Sequence, residues 1–291
     1  MTRLRFMVIC ALAVANFGCS KDATFTEVSP PLAAIHWVNA VPDTGQQDIR
    51  VVDIVSNAGL FDVDFRGSNM FYQPIEAGTR TVRIFMSSVT NQQVASTVIQ
   101  ESNLALTAGS NYTVIHAGFA RTGGTPARAV LVIPDNSPQP ATGQIALRVI
   151  NAGAGVAGGS VDVWFVRHPV VPTSPIDSLP DARSVAAVAY GTASTYASVP
   201  MDVAVTDSVR IVVTAAGTKT PILATIKAPA GLAAQTAPPA DAIAGSRVSG
   251  SVVTAVIVPA SVAGSQAPQG GAFATPSALY LVDRRPLTAV P

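Results

Sequence analysis

The chain has 291 residues, 48% of them hydrophobic and only 12% charged, with a formal net charge of +1. That balance excludes a disordered acidic or basic polymer and leaves ample apolar material for a core. The 18 Lys and Arg are scattered, so nucleic-acid binding by counterion release has no patch to work from and no such partner is expected.

Thr2-Arg3-Leu4-Arg5 opens the chain, an apolar run from Phe6 to Ala15 follows, and Asn16-Phe17-Gly18-Cys19-Ser20 closes the leader. A basic start, about ten apolar residues and a small residue before a cut form an export signal. A membrane span would need about 20 residues. Gly18-Cys19 is similar to the end of a bacterial lipoprotein signal, where the cysteine becomes the acylated first residue of the mature chain. Asn16 and Phe17 stand where such signals usually carry Leu and a small residue. Ordinary cleavage after Ala13-Val14-Ala15 is the competing reading. The cysteines favour the first, because Cys10 lies inside the segment that export removes and Cys19 is then alone. A lone thiol in an oxidising compartment needs a job. Lipidation of Cys19 supplies one, and multiple acyl chains hold a protein to a membrane where one does not. Ser20 is compatible with delivery to the outer membrane. The expectation is a signal peptide at 1–18, a tether at 19–31, and an envelope location with the membrane as partner through Cys19.

Beyond residue 31 the apolar residues recur with a period of two, which on an extended chain puts them on one face. Ile35-His36-Trp37-Val38, Thr81-Val82-Arg83-Ile84-Phe85, Ile145-Ala146-Leu147-Arg148-Val149-Ile150, Val161-Asp162-Val163-Trp164-Phe165 and Val209-Arg210-Ile211-Val212-Val213 all read as half-buried strands. Val, Ile and Thr enrichment agrees. Gly and Pro punctuate at short intervals, as in sandwiches of many short strands. Residues 228–245 are Ala-rich but carry prolines and glycines that break a helix. The predicted class is all-β, as antiparallel β-sandwiches of immunoglobulin-like character.

One phrase is written twice, as AIHWVNAV at 34–41 and ALRVINAG at 146–153. Asn39-Ala40 corresponds to Asn151-Ala152, Asp48 to Asp162, Tyr72 to Tyr196, Ala108-Gly109-Ser110 to Ala244-Gly245-Ser246, and Asp135 to Asp283. The separations rise steadily along the chain. A duplicated unit whose second copy gained loop insertions gives such a series, whereas chance similarities scatter. The predicted domains are a first repeat at 32–138, a proline-rich and therefore stiff linker at 139–143, and a second repeat at 144–291.

The order of strand, Asn-Ala, Pro42-Asp43 turn, Asp162-Val163-Trp164-Phe165, then Tyr190-Gly191-Thr192-Ala193-Ser194-Thr195-Tyr196 and a valine-rich strand resembles the bacterial domain of unknown function 4397. The resemblance implies an all-β module of exported and surface proteins, often lipoproteins and sometimes in tandem. It brings no activity, cofactor or site residue with it.

Stretches that imitate chemistry have plainer readings. Gly153-Ala154-Gly155-Val156-Ala157-Gly158 fits G-x-G-x-x-G, but a dinucleotide site needs a helix next and a strand pattern follows. His36 and His116 sit in strand patterns and read as strand residues. Asp62 and Asp64 share a strand face and read as solvated. Asp43-Thr44-Gly45-Gln46-Gln47-Asp48 is a poor calcium loop. Trp164 and Tyr196 would serve a carbohydrate module if exposed, and core packing if not. No cofactor and no enzyme activity are expected. Two long loops remain as partner surfaces, 167–184, kept extended by Pro169, Pro172, Pro175 and Pro180, and 261–276, whose Gly264, Gly270 and Gly271 predict mobility. The expected function is a noncatalytic envelope module that binds a protein or glycan. The alternative is an envelope-polymer hydrolase gathering His168, Asp177 and Asp181 in the 167–184 loop, or a carbohydrate-binding module.

Overall fold

The structure, a computed structural model, describes residues 29–54, 59–156, 159–169, 179, 183–201, 206–236 and 239–285. The segment expected to be an export signal, with Cys19, lies outside the described residues. From Leu32 onward the chain forms one compact unit.

Alternating apolar residues become strands as expected. The first half contains β1 (Leu32–Ala40), β2 (Gln47–Val51), β3 (Gly59–Val63), β4 (Gln73–Glu76), β5 (Gly78–Met86), β6 (Val98–Leu106), β7 (Asn111–Ala117) and β8 (Ala129–Pro134). The second contains β9 (Gln144–Asn151), β10 (Ser160–Pro169), β11 (Val185–Ala189), β12 (Ala197–Pro200), β13 (Thr206–Ala215), β14 (Ile222–Lys227), β17 (Val252–Val258) and β18 (Ser277–Arg284), with a short ribbon of β15 (Gln235–Thr236) and β16 (Pro239–Ala240). Sheets β4-β1-β7-β8 and β3-β2-β5-β6 make one sandwich. Sheets β12-β9-β17-β18 and β11-β10-β13-β14 make the other, in the same order. The fold is all-β, as two sandwiches. Within it β1 pairs with β7, and β9 with β17, in parallel, while the other ladders are antiparallel.

Each sandwich buries the inward residues of its strands. Ile35 and Trp37 pack with Ile49, Ile84, Leu104 and Val114 in the first. Val149, Val163, Ile211, Val213, Ala255 and Ile257 do so in the second. A third core lies between the sandwiches, where the outer faces of β1 and β7 meet those of β9 and β17. Val38, Ala40, Ile115 and Ala117 there pack with Ile150, Ala152, Val256, Val258 and Leu281. This explains why β17 reads Val-Val-Thr-Ala-Val-Ile-Val and is buried at every position, for a strand covered on both faces has no polar side to show.

Register corrects the expected pairing of the halves in two places. Ala34 lies opposite Asn111 and Ala146 opposite Val252, so the counterpart of Gly109 is Gly250, not Gly245. Both take positive φ, +74° and +82°. Each amide closes onto the start of its first strand, Gly109 to Leu32 O at 2.7 Å and Gly250 to Gln144 O at 2.9 Å. The separations also do not rise throughout. The first half has its own insertion between β5 and β6, a helical turn at Gln92–Ala95 capped by Asn91, where β13 and β14 are joined more directly.

Three segments expected to lie outside the sheets are tied to them. Gly143 in the linker donates to Ser249 Oγ and accepts from the Met201 amide, and Gln139 Oε1 accepts from Arg284 Nη1. Arg167, His168 and Pro169, expected in a loop, continue β10 against β13, with His168 opposite Ser208. Proline is tolerated at that last position because its missing N–H breaks no interior ladder bond. The 261–276 loop, expected to be mobile, clasps the first sandwich together with Pro259. Arg66 donates to the carbonyls of Pro259, Ala272 and Thr275 at 2.6–2.7 Å, Val262 N donates to Pro42 O at 2.9 Å, and Phe273 lies against Phe65.

Candidate functional site

The seam between the sandwiches holds a cluster of buried polar side chains, His36, Asp135, Arg148, Thr113, Thr254 and Asp283. Alternation along β1 puts Ile35 and Trp37 inside and His36 on the seam. The same alternation along β9 brings Arg148 to the equivalent position. Asp135 and Asp283 follow the ends of β8 and β18 in the same way. Each aspartate is held within its own half by a tyrosine and a threonine. Tyr72 Oη and Thr113 Oγ1 donate to Asp135 Oδ2, both at 2.8 Å. Tyr196 Oη and Thr254 Oγ1 donate to Asp283 Oδ2 at 2.9 and 2.5 Å.

Each aspartate also receives a basic group from the opposite half. Arg148 Nη2 donates to Asp135 Oδ1 at 2.5 Å, and His36 Nε2 lies 3.7 Å from Asp283 Oδ1. His36 stacks on Tyr72 with ring centres 3.8 Å apart, and the Arg148 guanidinium lies 4.8 Å over the Tyr196 ring. The cluster is thus arranged about an approximate two-fold, with His36 and Arg148 exchanged across it.

The two arms differ in charge. Burial disfavours the Arg148 cation, and Asp135 with Tyr196 and Asp283 reverses this, leaving its pKa raised. Its other donors reach Thr254 Oγ1 at 3.0 Å and Pro134 O at 3.2 Å, so the buried cation is paired and hydrogen-bonded, as burial of charge requires. On the other arm His36 Nδ1 faces the Asn69 carbonyl at 3.2 Å, which fixes the ring proton there. Burial lowers the His36 pKa to about 4 and raises that of Asp283 to about 7. Between these values the pair is a neutral carboxylic acid facing a neutral imidazole. Both side chains are fully shielded from solvent, so the pair joins two sheets and has no opening to a substrate.

Asn39 and Asn151, the repeated residues, act alike. Asn39 Nδ2 donates to Val63 O and Asn151 Nδ2 to Val188 O, both at 3.0 Å. Their Oδ1 atoms accept from Val41 N and Gly153 N. Asp48 and Asp162 form a second matched pair, accepting the amides of Asp62 and Ala187, which hold φ of +53° and +50°. That conformation ends the alternation expected of Asp62 and Asp64; β3 stops at Val63, and Ser87 Oγ donates to Asp62.

His116 is buried, with Nδ1 2.8 Å from Gln47 Oε1, and burial pushes its pKa down to about 3. Trp164 is buried against Leu179 and Val212. Tyr196 is half-buried at the seam. The glycine-rich 153–156 turn leads into β10, a strand, so no helix N-terminus stands there for a pyrophosphate. Asp43 accepts the amides of Ala120 and Arg121 in place of a cation. Asp177 and Asp181 lie outside the described residues. Among the described residues no group of three or more His, Cys, Asp and Glu converges as a metal site would, and no helix is long and apolar enough to cross a membrane.

Next to the cluster a groove of about 630 Å³ opens to solvent along one side of the seam. Ile133, Pro134, Asn136 and Pro138 line it from the first half and the linker, and Arg148 with residues 191–196 from the second. Neither groove nor cluster was singled out from sequence. The signal that could have found them is β17, apolar at every position but Thr254, which announces a second covered face.

A protein-family model described as Domain of unknown function (DUF4397) matches residues 33–164, through the first sandwich and into β10. No curated protein matches the chain.

Proposed function

We propose that the chain is a noncatalytic module of the bacterial cell envelope, exported, held at a membrane through acylated Cys19, and built from two tandem copies of the matched family's sandwich. The common strand order of the halves and their matched Asn, Asp and Tyr latches support the duplication. The observation that carries the noncatalytic reading is the seam itself. His36, Asp135, Arg148 and Asp283 are shielded between two sheets and face one another, so their chemistry joins the sandwiches. A rigid body of this kind suits presentation of a binding surface to an envelope protein or glycan away from the lipid.

Mass spectrometry of the mature N-terminus tests the anchor. An acylated Cys19, lost in Cys19→Ser, is expected; an unmodified chain beginning directly after Ala15 would overturn it. Immobilised mature protein challenged with envelope extracts tests the binding role, and failure to retain any component at high micromolar concentration would count against it.

A further inference from the structure

We propose that the connection between β14 and β17 docks on the lipid bilayer, seating Leu232 and Ile243 among the headgroups. The inference rests on the reading of Cys19 as the anchor, and names the end of the body that the anchor holds to the membrane.

The first half passes from β6 to β7 through residues 107–110, whereas the second spends 228–251 on the matching connection from β14 to β17. The added length forms a hairpin. Leu232 N donates to Ile243 O at 2.9 Å and Ile243 N to Leu232 O at 2.8 Å, an exchange that sets the two side chains on one face. Beyond them Gln235 pairs with Ala240. The base is fixed. Ser246 N donates to Pro229 O and Arg247 N to Ala230 O, and a Cβ on Gly245 would fall 2.2 Å from the Gly231 nitrogen. Ala242 and Ala244 turn inward and are buried, while Leu232 and Ile243 are 46% and 53% exposed. Paired backbone thus holds two large aliphatic side chains outward, and its bonds need no water to satisfy them.

The place of the hairpin identifies what it meets. β1 runs parallel to β7 and β9 to β17. Across the seam Arg148 meets Asp135, which bonds to Asn111 at the start of β7, and Ala40 packs with Val258 at the strand ends. All four strands therefore begin at one end of the body. Leu32, where the tether joins, lies at that end, and so does the hairpin that leads into β17. Residues 19–31 reach at most about 45 Å when fully extended, so this is the end tied nearest to the acyl chains. No residue from Ala228 to Ala240 is charged. Asp241 is exposed beside the pair, which opposes attraction to anionic lipid and leaves apolar contact as the driving force. Two side chains are a small part of the roughly 800 Å² per partner that a stable protein interface buries. A bilayer needs no matching shape, and the anchor supplies the effective concentration that makes weak contact suffice.

The chain from residue 19, coupled through Cys19 to a maleimide phospholipid in phosphatidylcholine vesicles with brominated acyl chains, tests this. Cys19 is the only cysteine beyond residue 18, and the buried Trp37 and Trp164 give a background that the bromine does not reach. Fluorescence added by Ile243→Trp should be quenched about twofold or more, as insertion by about 5–10 Å requires. Val89→Trp, 93% exposed beyond the far end of β5, should be unquenched. Leu232→Asp combined with Ile243→Trp should abolish the quenching with thermal stability retained, because a carboxylate resists leaving water. Unquenched Ile243→Trp, equal quenching of Val89→Trp, or quenching that survives Leu232→Asp would each overturn the proposal. A concentration-dependent blue shift of Ile243→Trp without lipid would assign the pair to a second copy and overturn it equally. An unmodified Cys19 in the mass spectrum removes the anchor and this inference with it, whereas an acylated Cys19 with unquenched Ile243→Trp removes the role of the hairpin alone.

Discussion

His36 and Asp283 oppose each other in their effect on stability. Folded His36 titrates near 4 and unfolded histidine near 6.5. Between these values the unfolded chain binds the extra proton, so His36 alone makes stability rise with pH. Asp283 is protonated in the fold up to about 7 and ionises near 3.8 when released. Here the folded chain binds the extra proton, so Asp283 alone makes stability fall as pH rises through that window. Their two slopes nearly cancel, which leaves in the wild type the rise with pH contributed by buried His116, whose pKa is about 3 in the fold. Relative to the wild type, Asp283→Asn should rise more steeply from about pH 4 to 6.5, and His36→Gln should rise less over that same window, as read by urea denaturation across that range. Arg148 and Asp135, the other charged groups facing the pair, are unchanged in both. The Asn latches give a simpler expectation. Asn151→Ala leaves the buried Val188 carbonyl and Gly153 amide without their partner and should cost about 2–4 kcal/mol. At this scale the repeated residues were legible in the sequence, because Asn39, Tyr72 and Asp135 each recur as Asn151, Tyr196 and Asp283. Their bonds were not, since alternation assigns His36 to an outer face and cannot say that a second sheet covers it.

The clasp at 259–276 shows why elements were easier to read than their connections. Val-rich alternation marked β1, β5, β9, β10 and β13 correctly, because the two-residue period is a local property. Gly264, Gly270 and Gly271 marked a mobile loop, and local composition carries no trace of Arg66, which is nearly 200 residues away in sequence. The parallel pairings of β1 with β7 and β9 with β17 are equally non-local. Hydrogen exchange should find residues 261–274 protected in the wild type and exposed in Arg66→Ala, with a loss of stability of about 2–3 kcal/mol from the three charge-assisted bonds. Arg66→Lys should recover only part, because an ammonium lacks the planar fork that reaches three carbonyls at once.

For the molecule as a whole, the third core between the sandwiches decides the behaviour. A fully buried aliphatic side chain contributes about 1.5–3 kcal/mol, and Val38, Ile115, Ile150, Val256, Val258 and Leu281 are all fully shielded there. Their sum is on the order of 10 kcal/mol, as large as the entire stability of a typical domain, about 5–15 kcal/mol. The coupling between halves is therefore comparable with the stability of either half. The proline-rich linker suggested two bodies on a stiff connection, and that reading missed the seam because it took the outer faces of β1, β7 and β9 as solvated. A first sandwich expressed alone, as 32–138, should self-associate through the exposed Val38, Ile115, Leu131 and Ile133. The most direct measurement is differential scanning calorimetry of the intact chain from residue 20 onward with Cys19 absent. One transition, with calorimetric and van't Hoff enthalpies equal, is expected for two sandwiches fused through a common core. Two transitions, or a calorimetric enthalpy about twice the van't Hoff value, would show halves that unfold independently and would contradict it.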